Sequence, residues 1–164
     1  MPEKTLPPRV QGELDQLAEQ AQQVETVQKQ YAQAQDASTK AIQALLAVWP
    51  LFPRAKFIRD TNFSRVGLYG QLPPYDELRA AAANLDVTER RKQNAYDRAV
   101  AAAVEHVRLK NAVDEAIQRR WDTMVQLRTD GVEELSMADI ARAADLNYGW
   151  VREKFVKLGL GGRA

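Results

Sequence analysis

"ADIARAADLNYGWVREKF", residues 138–155, holds two short amphipathic patterns separated by a break of three residues. Ser136 and Asp139, three positions apart, form a capping box, which sets a helix start near Met137. Ile140 and Ala144 then share one face, and Ala143 and Ala144 are small where a second helix must cross closely. Asp145 stands where the chain turns through a left-handed residue, a conformation that Asp and Asn tolerate better than other non-glycine types. Asn147 caps the next helix, whose inner face carries Val151 and Phe155. Tyr148, Gly149, Trp150, Arg152, Glu153 and Lys154 remain outward, with a competing reading of Trp150 as a core residue.

An earlier stretch, "AKFIRDTNFSRVGLYGQL" (residues 55–72), repeats the pattern without gaps. Ala55 matches Ala138, Phe57 matches Ile140, Thr61 matches Ala144, Asn62 matches Asp145, Phe63 matches Leu146, Ser64 matches Asn147, Leu68 matches Val151 and Leu72 matches Phe155. Both stretches follow related segments, "KAIQALLAVW" from Lys40 and "EAIQRRWDTM" from Glu115, so the chain reads as an internal duplication. The outward set of the first copy is Ser64, Arg65, Val66, Gly67, Tyr69 and Gly70, preceded by Arg54, Lys56 and Arg59. Two glycines, each costing about 1 kcal/mol relative to alanine in a helix, make this the weaker copy.

Each copy follows a long apolar seam. From Gly12 to Trp49 the spacing of Leu14, Leu17, Ala21, Val24, Val27, Tyr31, Ala34, Ser38, Ala41, Ile42, Leu45 and Val48 predicts a helix with one buried stripe. A second long helix is predicted over 86–128, capped by Asp86 or Thr88 and stopped by Thr129, Asp130 and Gly131. Its seam is read as Tyr96, Val100, Ala103, Val104, Val107, Val113, Ile117, Met124 and Leu127. "PPYDELRAAAANL" before it is also helical, either joined to the long helix or separate. In chain order the pattern divides into 10–72, a connector over 73–85, and 86–160. Each long stripe needs a cover, supplied by the other long helix, by a sister chain, or by both.

Composition narrows the chemistry. The 164 residues are 45% hydrophobic, as in folded proteins, and 23 Lys and Arg against 22 Asp and Glu leave a net charge of +1. No global basic field exists, so any nucleic-acid contact must be local. Residues 53–66 carry four basic residues and one acid, net +3; residues 136–164 carry five and three, net +2. The absence of Cys and the single histidine, His106, remove the usual zinc sites, thiol nucleophiles and histidine acid–base pairs, and no carboxylate pair stands out. No catalytic residue, metal site, cofactor or small-molecule substrate is expected. Trp49 and Trp121 read as packing anchors, "ERRK" (89–92) and "QRR" (118–120) as solvated faces, and the tail "GLGGRA" as a frayed end. "AIQALLAVWPLF" (41–52) is too short to span a bilayer and "MPEKTLPPRV" lacks a signal-peptide core, so a cytoplasmic protein is expected.

The stretch 138–155 resembles the helix-turn-helix of bacterial and phage transcriptional regulators, with 54–72 as a weaker internal copy. The resemblance implies an all-α protein in which two long coiled-coil-type helices are each followed by a compact helix-turn-helix. It implies double-stranded DNA as partner, with Asn147, Tyr148, Trp150, Arg152 and Lys154 at the DNA and, in the first copy, Arg54, Lys56, Arg59, Ser64, Arg65 and Tyr69. A repressor acting as a homodimer through its long helices is the expectation. The alternatives are a non-enzymatic coiled-coil adaptor, and an accessory protein that bends or bridges DNA in recombination or replication.

Overall fold

The computed structural model describes residues 5–161, and every regular element among them is helical. Residues 162–164 of the "GLGGRA" tail and residues 1–4 lie outside the described residues. The helices are α1 (Pro8–Val48), α2 (Arg54–Thr61), α3 (Arg65–Tyr69), α4 (Tyr75–Ala83), α5 (Glu89–Asp130), α6 (Met137–Ala143) and α7 (Tyr148–Lys157). The architecture is all-α with two long helices. No helix among the described residues is long and apolar enough to cross a membrane.

Packing gathers the chain into two compact units, each built from part of α1 and part of α5. The first unites the described residues up to Val27 with those from Val113 onward. Here Val10, Leu14 and Leu17 of α1 pack with Met124 and Leu127 of α5, and Val24 and Val27 pack with Val113 and Ala116. Early residues of α1 therefore meet late residues of α5, an antiparallel pairing. Ile140 and Ala141 of α6, Ala144 at its C-terminal cap, and Val151 and Phe155 of α7 close the same core. Burial of each large aliphatic or aromatic side chain here stabilises by about 1.5–3 kcal/mol.

The second unit is Gln28–Ala112. Ile42 and Leu45 of α1 pack with Tyr96, Ala99 and Ala103 of α5, and with Phe52, Phe57, Phe63 and Leu68 from the α1–α2 link, α2, the α2–α3 turn and α3. Phe57 is the hub, with ring centroids of Phe52, Tyr96 and Phe63 at 5.6, 6.0 and 6.4 Å. Pro50 and Pro53 break the helical run after α1, and Pro53 lends its carbonyl to Phe57 N–H at 3.0 Å to open α2. Ser38 is fully buried yet satisfied: its hydroxyl donates to Gln35 O at 3.0 Å and shares a hydrogen bond with His106 Nδ1 at 2.8 Å. The other ring nitrogen of His106, Nε2, faces the Tyr31 hydroxyl at 3.4 Å.

The α1 seam is buried or half-buried throughout as its spacing predicts. The α5 seam differs from its reading at two positions, since Val104 and Ile117 are 44% and 38% exposed while Ala99, Leu109 and Ala116 are buried. The buried stripe runs through Ala99, Ala103, Leu109, Ala116, Met124 and Leu127, so Val104 and Ile117, each one position beyond a member of it, rotate outward by about 100°. Thr88 caps α5 through its hydroxyl, which accepts from Arg91 N–H at 3.2 Å, and Gly131 at φ +65 follows its last residue, Asp130. The segment after Pro73 and Pro74 is a separate helix, α4, which buries only Leu78.

Candidate nucleic-acid interface

The α6–α7 pair is fixed at both ends of its turn. Ser136 Oγ accepts from Asp139 N–H at 3.1 Å while Asp139 Oδ2 accepts from Ser136 N–H at 3.0 Å, a reciprocal box that satisfies two free donors. At the other end Asp145 has φ 54. Its N–H donates to Arg142 O at 3.2 Å and Leu146 N–H donates to Ala141 O at 2.9 Å, the paired closure of a Schellman turn. Asn147 Oδ1 accepts from Trp150 N–H at 3.1 Å and starts α7.

Arg120 of α5 adds a brace that the sequence reading missed by treating "QRR" as solvated. Its guanidinium donates to Ala144 O at 3.5 Å, at the carbonyl end of α6. Burial pushes its pKa down from the usual arginine value, and the neighbouring Asp145 carboxylate opposes that shift. The signal available in sequence was only the spacing from Arg120 to the turn, which no local pattern reveals.

Ile140, Ala144, Val151 and Phe155 are fully buried, and this fixes which side of α7 faces out. Tyr148 and Trp150 are 46% and 43% exposed, and Asn147 and Arg152 are exposed. Trp150 is not a core residue: it meets Trp121 edge-on at 6.1 Å, and Trp121 stacks on Phe155 at 5.5 Å. Lys154 is half-buried with its ammonium 5.5 Å from the Trp150 ring centre. Arg152 has no ion pair or ring contact among the described residues. The result is an outward surface of amphipathic rings and cations on a helix that is held rigidly from behind.

The first copy reproduces the turn and departs on the surface. Asn62 has φ 56 and donates its N–H to Ile58 O at 2.9 Å, the single-bond form of left-handed closure. The buried Thr61 hydroxyl donates to Phe57 O at 2.7 Å and accepts from Phe63 N–H at 3.1 Å. Ser64 caps α3 through Gly67 N–H at 2.9 Å. Two of the four cations assigned to this copy are engaged with rings: Arg54 lies 5.2 Å from Tyr69 and 5.7 Å from Tyr75, and Lys56 lies 5.0 Å from Tyr96. Tyr96 in turn donates to Asp60 Oδ2 at 2.9 Å, and burial together with that carboxylate raises its pKa well above the ordinary phenol value. Arg59 and Arg65 are exposed, and Tyr69 is 44% exposed.

Among the described residues no group of three or more acidic or histidine side chains is placed to hold a metal ion. The chain matches no known protein-family model, no curated protein and no solved structure.

Proposed function

We propose that the chain is a non-enzymatic, sequence-specific DNA-binding protein that presents α7 to the major groove of double-stranded DNA and acts in the cytoplasm as a transcriptional repressor. The observation that carries this reading is the division of α7 itself. Val151 and Phe155 are fully buried against a braced, capped turn, while Tyr148 and Arg152 are exposed and Trp150, edge-on to Trp121, is 43% exposed on the other sides. A rigid helix with exposed cations and amphipathic rings supplies both phosphate contacts and base-edge contacts. Within α7, Arg152, Lys154 and Lys157 outnumber Glu153, a local net charge of +2 on a nearly neutral protein. In the first copy Arg59 and Arg65 are the available cations, so it contributes phosphate contacts at most and the α6–α7 pair carries the specificity.

A single reading helix gains selectivity when two act on a pseudo-palindromic site, so the repressor is proposed to work as a homodimer. Because α5 already covers Leu14, Leu17, Val24 and Val27, a dimer through the long helices would use other faces, on which Val104 and Ile117 are exposed apolar residues of α5. Sedimentation equilibrium at micromolar concentration should return twice 18.5 kDa; a lone 18.5 kDa species contradicts the dimer. The DNA reading is tested by gel shift of genomic fragments at roughly 0.1 M salt, with specific and random competitors. Retention of a discrete fragment against random competitor supports it, and equal displacement by both competitors refutes sequence-specific binding.

A further inference from the structure

The outermost ridge of α7 has a carboxylate at its centre. At about 100° per residue, the direction opposite Val151 and Phe155 falls to Glu153, with Gly149 one turn before it and Lys157 one turn after. Tyr148 and Arg152 lie on one flank, and Trp150 and Lys154 on the other. The Glu153 side chain is 65% exposed, and its carboxylate meets Lys157 Nζ at 3.2 Å. An added Cβ at Gly149 would press on the capping Asn147 Oδ1 at 3.1 Å, so glycine there keeps the cap clear. The ridge is therefore a glycine, a carboxylate and the lysine that pairs with it.

A carboxylate in that place is repelled by phosphates, so contact with DNA backbone does not account for it. Base edges offer the compensation. In the major groove cytosine presents the N4 amino donor, whereas guanine O6 and N7 and thymine O4 are acceptors that a carboxylate cannot satisfy. Adenine also has an amino donor, but its adjacent N7 acceptor faces the second carboxylate oxygen.

Resting on the DNA-binding reading above, we infer that Glu153 is a specificity-determining residue that accepts a hydrogen bond from a cytosine N4 amino group. Lys157 holds the carboxylate in the free protein. Exposed pairs of this spacing are weak, so it opens on binding and leaves Lys157 for phosphate.

Selection from randomised duplexes, run in parallel with the wild type and Glu153→Gln, tests this. The wild type should enrich one C·G position at which other base pairs weaken binding by about tenfold. Glu153→Gln should lose that cytosine preference, move toward adenine at the same position, and bind random duplex more tightly because one negative charge is gone. Its melting temperature should match the wild type, since the side chain is exposed. An unchanged consensus in Glu153→Gln overturns the role of Glu153 while leaving DNA reading intact. Failure of the wild type to enrich any sequence overturns the DNA reading, and the role of Glu153 with it.

Discussion

The helix pairs α2–α3 and α6–α7 agree where they are buried and part company where they meet solvent. Phe57 and Ile140, Thr61 and Ala144, and Leu68 and Val151 occupy matched buried positions, and Asn62 and Asp145 adopt φ 56 and 54. Yet α3 has 5 residues and α7 has 10. Gly67 and Gly70 weaken α3, and Pro73 disfavours helix at Leu72, so the chain leaves α3 through looser bonds of Gln71 N–H to Leu68 O and Leu72 N–H to Tyr69 O. The difference teaches that the inner face and the turn define the shared scaffold, while the length of the second helix decides what the scaffold can present.

The largest expected effect tests the shared scaffold. Val151→Asp and Leu68→Asp each bury an unpaired charge in a fully closed position, and each should destabilise its own unit by about 3 kcal/mol or more. Urea unfolding followed by circular dichroism checks this, and a wild-type curve for either variant breaks the equivalence of the two inner faces.

A smaller effect sharpens the comparison of the turns. Asp145→Val and Asn62→Val each force a β-branched residue into the left-handed region, at a cost of about 1–2 kcal/mol. Asp145→Gly and Asn62→Gly should keep or raise stability. Loss in one copy but not the other would show that the two turns are not held alike. A difference in that direction is expected to be modest, since the first turn has the Thr61 hydroxyl and the second has Arg120 as an extra brace.

The smallest effect belongs to the second unit alone, where His106 sits between Ser38 and Tyr31. Burial first, and then Lys110, lower the His106 pKa below 6.5. The unfolded chain therefore binds a proton before the folded one does. Stability from this group is complete above pH 6.5 and declines as pH falls through the lower folded value. Thermal melts at pH 7.5 and 5.5 should show a fall of a few degrees at most, reduced in His106→Gln. An equal fall in that variant assigns the pH dependence to other groups.

Periodicity made the α1 seam legible, and side-chain chemistry made the turns legible: Asn62, Asp145, Ser136, Ser64 and Asn147 each act where a short polar residue has a local backbone task. What periodicity does not resolve is the choice within an alanine-rich run. In "AVAAAVEHV" Ala103 is buried and Val104 is 44% exposed, because the phase of the buried stripe passes through Ala99 and Ala103 and a one-residue step turns the side chain by about 100°. Tertiary partners were also illegible. Nothing local to "QRR" brings Arg120 to Ala144, and nothing local to Arg54 or Lys56 sets their rings beside them. The exposure of Glu153 on the ridge of α7 follows from helical geometry once Val151 and Phe155 are fixed as inward, a step that the outward cations obscure.

The proposed division between the two copies turns on Arg152. Fluorescence anisotropy of a labelled duplex retained in the gel shift, titrated with Arg152→Ala and with the double variant Arg59→Ala/Arg65→Ala, measures it directly. Arg152→Ala should weaken binding roughly tenfold or more with an unchanged melting temperature, because the side chain is exposed and a lost base or phosphate contact of this kind is worth about 1–3 kcal/mol. The double variant should lower the salt dependence slightly and leave the preferred sequence intact. Wild-type affinity and salt dependence in Arg152→Ala would contradict reading by α7.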